Sequence, residues 1–169
     1  NIPVATEQEF HELPNFLKDL QKLVEVIIVK GNHDGNIERF SGEVKVYGAG
    51  GLKVSDLGIV HGHAWPSEEV MKSKYLVMGH NHPQVEFRDK LGRRYAEKAW
   101  VIGSLKEGKI KVIVMPAFNP LVGGISFNRV ECNQLLGPIF KNELFKLEDA
   151  KVRLLNGIEL GKIKNLKVS

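Results

Sequence analysis

The spacing of apolar positions changes period along the chain, and each change marks a predicted element. Phe10, Leu13, Leu17 and Leu20 recur at helical spacing behind Thr6-x-x-Glu9, which has the form of a capping box. The spacing predicts a helix over about 7–21, kinked or restarted at Pro14, whose ring removes a backbone bond. The pattern then turns to the β-branched run Val24-Glu25-Val26-Ile27-Ile28-Val29-Lys30, closed by Gly31. Such a run reads as a buried strand of a parallel or mixed sheet. A short helical turn is expected near 36–40 and a strand over 44–47. The cluster Gly48-Ala49-Gly50-Gly51 lacks the full G-x-G-x-x-G spacing, so a hairpin turn is expected there rather than a phosphate loop.

Residues 52–60 form a broken strand pattern, interrupted at Asp56-Leu57-Gly58. Ser67 is placed to cap a short helix, with Glu68 and Glu69 favouring its N-terminus. Tyr75-Leu76-Val77-Met78 is the next strand, and 85–88 pairs with 94–102 about the turn Asp89-Lys90-Leu91-Gly92. A strand over 110–115 leads into a Pro- and Gly-rich loop, 116–124. Residues 135–145 show no decisive period, whereas Asn156-Gly157 between two apolar runs is a strong hairpin signal. No repeat, linker or boundary interrupts the chain, which is expected to form one α/β domain over 1–169.

Composition narrows the classes. With 169 residues, 43% of them hydrophobic, the chain can bury a real core. It holds no apolar run able to span a bilayer and no signal-peptide pattern at its visible start. One cysteine, Cys132, rules out an intrachain disulfide framework, so a cytoplasmic setting is expected. The net charge of +4 tolerates a phosphate-bearing partner without requiring one. No basic stripe with interleaved aromatics indicates nucleic acid, and Arg88, Arg93 and Arg94 read first as exposed hairpin charges.

The histidines change the picture most. Five of the six fall in three short loops, Gly31-Asn32-His33-Asp34, His61-Gly62-His63 and Gly79-His80-Asn81-His82, and each loop closes an apolar strand-like run. Imidazoles, an amide and a carboxylate at adjacent strand ends are what a divalent metal site needs. Any one loop alone is ordinary turn chemistry. Three together are hard to explain as coincidence. His11, on the predicted helix, reads as a surface residue.

These loops resemble the later motifs of the calcineurin-like metallophosphoesterase superfamily, which run G-N-H-D/E, then H, then G-H-x-H. The sequence is similar in particular to archaeal ICC-like phosphoesterases and to DNA-ligase-associated phosphoesterases, a likeness that Met115-Pro116-Ala117-Phe118-Asn119 and the tail over 157–161 also carry. The resemblance implies two mixed sheets packed as a sandwich and flanked by helices. It implies hydrolysis of a phosphodiester or small phosphomonoester by hydroxide activated on two divalent ions, Mn²⁺ first, with Zn²⁺, Fe²⁺ or Ni²⁺ as alternatives. Asn32, His61 and His80 would be ligands of the second metal and His82 of the first. His61 is preferred to His63, which would be an outer-shell or substrate contact. His33 would act as general acid, with Asp34 orienting its ring.

The family's D-x-H and G-D motifs are absent, and the first residue is Asn1. The expectation is therefore a domain lacking its first strands, whose residues 1–169 alone bind metal weakly and catalyse poorly. A non-catalytic scaffold with this fold and a nuclease acting on DNA are the alternatives. Beyond a phosphate-ester substrate, a homo-oligomer is allowed and a membrane partner is not expected.

Overall fold

The computed structural model describes residues 6–105 and 107–167. The apolar stripe and the main-chain bond from Phe10 N to Thr6 O open helix α1 (Glu7–Gln21), which accommodates Pro14 within its length. The Glu9 side chain, half of the expected capping box, lies outside the described residues, as does the expectation attached to Asn1. Leu17 is buried, and Phe10 stacks on Phe40 with ring centroids 4.7 Å apart.

The run after the helix is a shorter and less buried strand than its composition predicts. Leu23 and Val24 both donate to the carbonyl of Leu20, so they complete the last turn of α1. Only β1 (Ile27–Val29) is extended, and it pairs in parallel with β2 (Lys45–Tyr47) as a two-stranded sheet. Pairing along one edge leaves Leu23, Val24 and Ile27 exposed. The Gly48–51 cluster is likewise not a hairpin turn. It carries the chain from this small sheet to the edge of a larger one, closing through Gly51 N and Gly48 O at 3.0 Å. Gly51 has φ of 86°, and a Cβ there would lie 2.3 Å from the carbonyl oxygen of Ile59, so no other residue fits.

The hairpin lies one step later, where β3 (Leu52–Val54) and β4 (Leu57–Val60) pair antiparallel across Ser55 and Asp56. Ser55 takes φ of 52°, the left-handed conformation that tight two-residue turns demand. The interruption in the sequence pattern is therefore a turn one residue earlier than expected. Next come β5 (Tyr75–Met78), β6 (Pro83–Arg88), β7 (Arg94–Ser104), β8 (Lys111–Val114) and β9 (Ile125–Ser126). A one-turn helix α2 (Pro138–Lys141) precedes the hairpin of β10 (Lys151–Leu154) and β11 (Glu159–Lys162). Ser67 closes the short turn before β5 by accepting from Val70 N.

Among the described residues the larger sheet has nine strands, in the order β11-β10-β7-β8-β5-β4-β3, with β6 and β9 joined along the outer half of β7. Strand β7 serves two neighbourhoods. Arg94 to Lys98 pairs with β6 and is mostly exposed, while from Ala99 onward the strand pairs with β10 and β8 and buries Ala99 and Val101. The protein is thus α/β with mixed sheets, strand-rich and poor in helix. Among the described residues no helix is long and apolar enough to cross a membrane.

Two features position the site. Strands β4, β5 and β8 run parallel and in register, with Val60, Met78 and Val114 side by side at their carboxyl ends. Beneath them Leu76, Val112, Val101 and Val152 are fully buried, as are Phe127 and Phe140. Phe140 stands edge-on to Phe127 and Phe145 at 6.1 and 5.2 Å. Truncating a buried ring in such a cluster leaves a cavity and removes aromatic contacts, which typically costs about 3–5 kcal/mol. Phe140→Ala is expected to destabilise the chain by that amount in urea titration; a loss under 1 kcal/mol would mean that this cluster is not part of the cooperative core.

Candidate metal centre

The parallel register brings the loops after β4 and β5 together. Gly79 N donates to His61 O at 3.0 Å, which fixes the spacing of the His61-Gly62-His63 and Gly79-His80-Asn81-His82 loops. The loop after β1 reaches the same place from the smaller sheet. Gly31 is buried, and a Cβ on it would stand 2.9 Å from Nδ1 of His61. The His61 ring therefore lies on the bare backbone of Gly31, and Asn32 follows directly.

Three donor atoms from three segments converge there. His61 Nε2 is 3.0 Å from Asn32 Oδ1 and 3.2 Å from His80 Nδ1. One ring nitrogen has a single proton or a single lone pair to share between an amide oxygen and a second imidazole. Donor atoms held on one ion at about 2.1 Å stand ~3.0 Å apart across a right angle and ~3.4 Å apart across a tetrahedral one. Both observed separations fall in that range, so Asn32 Oδ1 and His80 Nδ1 each stand from His61 Nε2 at the distance that two donors sharing an ion would have. The third donor is an amide: among the described residues no group of three or more His, Cys, Asp or Glu side chains is arranged to hold a metal.

The remaining predicted residues sit around this trio. His63 lies edge-on to His61 and His80, with ring centroids at 5.2 and 6.0 Å, and its buried Nδ1 has no hydrogen-bond partner among the described residues. His82 turns its Nδ1 toward the carbonyl oxygen of Gly123 at 3.2 Å. It is still close enough for its charge to weigh on both His61 and His80. His33 is exposed and near enough to influence His80 in the same way. Asp34 does not bond the His33 ring here. Its Oδ2 accepts from Gly31 N at 2.7 Å and closes the turn on which Asn32 and His33 are displayed. His11 is exposed on α1, apart from the others.

Sequence reasoning assigned no role to Asn81, which organises the loop. Its side chain is buried and makes a paired contact with the main chain of Leu136, accepting from N at 2.7 Å and donating to O at 3.0 Å. His80 and His82 on either side adopt φ of 68° and 45°. The signal was an amide between two histidines, a residue type with both a donor and an acceptor to spend. The loop after β8 is also tied in, because Lys98 Nζ donates to the carbonyl oxygens of Ala117, at 3.1 Å, and Asn119.

Electrostatics favour neutral rings. Burial, then the neighbouring His80 and His63, push His61 down to about 4, with Asp34 opposing. His80 is lowered by burial first and then by His63, His82 and His33. Neutral imidazole is the metal-binding form. Comparison with models of protein families, with curated proteins and with solved structures returns no match for this chain.

Two outcomes follow. Because the folded state holds His61 unprotonated to lower pH than the unfolded chain does, the unfolded state binds more protons below pH 6.5. Metal-free protein is expected to keep its full stability above about pH 6.5 and to lose part of it progressively as pH falls toward 4. His61→Asn should flatten that slope in denaturant titrations at stepped pH, and an unchanged slope would assign the loss to other groups. Gly31→Ala should fold, since the group in its way is a side chain. The displaced His61 ring should weaken Mn²⁺ binding roughly tenfold or more by calorimetry, within the range seen when a ligand's orientation is disturbed. Native affinity in that variant would mean that the ring's seat on Gly31 does not matter.

Proposed function

We propose that this protein is a divalent-metal-dependent phosphoesterase of the calcineurin-like kind, acting on a phosphodiester or a small phosphomonoester. The observation that supports this most is the convergence of Asn32, His61 and His80, from three separate segments, at separations suited to one ion. Their place beyond the carboxyl ends of parallel strands, where α/β folds collect ligands, supports the same reading. On this reading the two sheets form the sandwich of that superfamily, and Mn²⁺ is the metal first expected.

Asn32, His61 and His80 would hold one ion, and His82, whose Nδ1 faces the Gly123 carbonyl, would contribute to a second. Divalent ions bound there would acidify water and neutralise phosphoryl oxygens. The protein's own tasks are then to orient the ester, to keep the His61 and His80 imidazoles neutral for binding, and to supply a proton to the leaving oxygen. His33 is the proton donor in this scheme, being exposed beside the cluster and free of ligand duty. Asp34 positions it by fixing the turn through Gly31 N.

The test separates the two kinds of histidine. With Mn²⁺ the complete protein should hydrolyse bis(4-nitrophenyl) phosphate and lose that activity in chelator. His80→Ala is expected to lose metal by calorimetry. His33→Ala should keep its metal but turn over alkyl diesters about 10²–10⁴-fold more slowly, the usual contribution of general acid catalysis. The deficit should shrink for nitrophenyl esters, whose leaving group needs no proton. Equal metal loss in both variants would show the roles to be misassigned. Metal-replete protein inert toward a panel of mono- and diesters would favour a scaffold instead.

A further inference from the structure

At the end of the sheet opposite the histidines, the starts of β5 and β8 border a cavity of about 560 Å³. Its lining comes from the turn before β5, from the β7–β8 turn and from Leu144 beyond α2. Main-chain bonds fix these segments beside one another. Lys111 N donates to Lys74 O at 2.9 Å, and Leu105 N to Ile110 O at 3.1 Å. An isolated antiparallel bridge between Leu105 and Phe145 brings Leu144 to the same place.

Met71, Leu105, Ile110 and Leu144 supply the apolar lining, and Leu105 and Ile110 are buried members of the core. A volume of about 300–1,000 Å³, with mostly apolar walls and a few polar groups, is the usual make-up of a small-molecule site.

The charged lining favours an anion. Lys72, Lys74 and Lys109 stand against one carboxylate, Glu107. Lys74 is paired with Asp56 at 2.7 Å, but both groups are exposed, where an ion pair holds weakly. Lys72 has only the second claim on Glu69, at 3.5 Å against 2.9 Å for Lys53. The Lys109 ammonium has no carboxylate partner among the described residues.

Ser73, between two of these lysines, also lines the cavity. Its hydroxyl rests against Gly58 of β4, where a Cβ would stand 3.0 Å from Oγ. Ser41, Asn81 and Asn128 are buried and hydrogen-bonded, whereas the buried Ser73 hydroxyl has no partner among the described residues. Native interiors leave few such groups unpaired. Here the spare donor belongs to a residue of the cavity wall.

We infer that this cavity binds a small amphipathic anion, in the simplest case a medium-chain carboxylate, with its chain on the apolar lining and its head among the lysines. Such a ligand needs neither metal nor phosphate, so its binding is independent of the chemistry proposed for the histidine site. Each methylene buried is worth roughly fourfold in affinity. Affinity should therefore climb with chain length until the cavity is filled.

The experiment titrates the metal-free protein at pH 7 with butanoate, hexanoate and octanoate by calorimetry, and with 1-hexanol to remove the charge. One site per chain is expected, with affinity rising at least ~10-fold from butanoate to octanoate. Hexanoate should bind more tightly than 1-hexanol, although water solvates a carboxylate far better than a hydroxyl. Lys109→Glu, at an exposed position, should weaken octanoate and leave 1-hexanol unchanged. Leu144→Glu should weaken both, and if that variant does not fold, Lys109→Glu decides alone. Lys90→Glu, exposed in the β6–β7 turn, should change neither. Absence of binding, or binding that does not grow with chain length, overturns the proposal. Octanoate affinity that survives Lys109→Glu places the anion elsewhere and overturns it too. Equal or tighter binding of 1-hexanol would make the cavity a general apolar sink and remove the anion assignment.

Discussion

The imidazole of His61 rests on the backbone of Gly31, and the candidate site depends on that contact. Gly31 follows β1 in the small sheet, and His61 follows β4 in the large one. Where they touch, the amide of Asn32 comes within reach of a ring belonging to the other sheet. A methyl group at position 31 would occupy the space of Nδ1, so the smallest residue in the alphabet sets the distance between two layers. The parallel register of β4 and β5 then brings in the loop that carries His80, which Asn81 holds in place through Leu136.

Concentrating imidazoles has an electrostatic consequence. His61 and His80 are partly withdrawn from water and stand beside other imidazoles, so protonating either becomes harder, and burial outweighs the neighbouring charges as the cause. Asp34 is the one counterweight acting on His61, and its carboxylate is already committed to Gly31 N. His61 and His80 are therefore basic in name and biased toward the neutral form. That state suits coordination of a cation, which a set of imidazolium rings would repel.

Local chemistry was legible where it decides local structure. The Asn156-Gly157 hairpin, the strand Tyr75–Met78 and the loop over 116–124 stand where the sequence pattern puts them. That three loops closing apolar runs would meet was legible too, while the choice of Asn32, His61 and His80 among their residues came from the family resemblance. What failed was anything set by neighbours. The β-branched run 24–30 predicts a buried strand, but burial depends on cover along both edges, and its first residues were claimed by the end of α1. The glycines at 48–51 indicate a turn without saying whether the flanking strands pair. Asn81 and Lys98 carry no pattern at all, since their partners lie 55, 19 and 21 residues away along the chain.

His80 and His82 both hold a left-handed backbone, with buried Asn81 between them. For a residue with a Cβ that conformation is disfavoured by about 1–2 kcal/mol, whereas glycine adopts it freely. A lineage selected for folding alone would gain by drifting to glycine at either position. Imidazoles standing where the main chain prefers glycine thus cost the loop stability, as Ser55 and Glu143 do in the turns they occupy. That cost is written in the dihedral angles of the loop and not in the spacing of its letters.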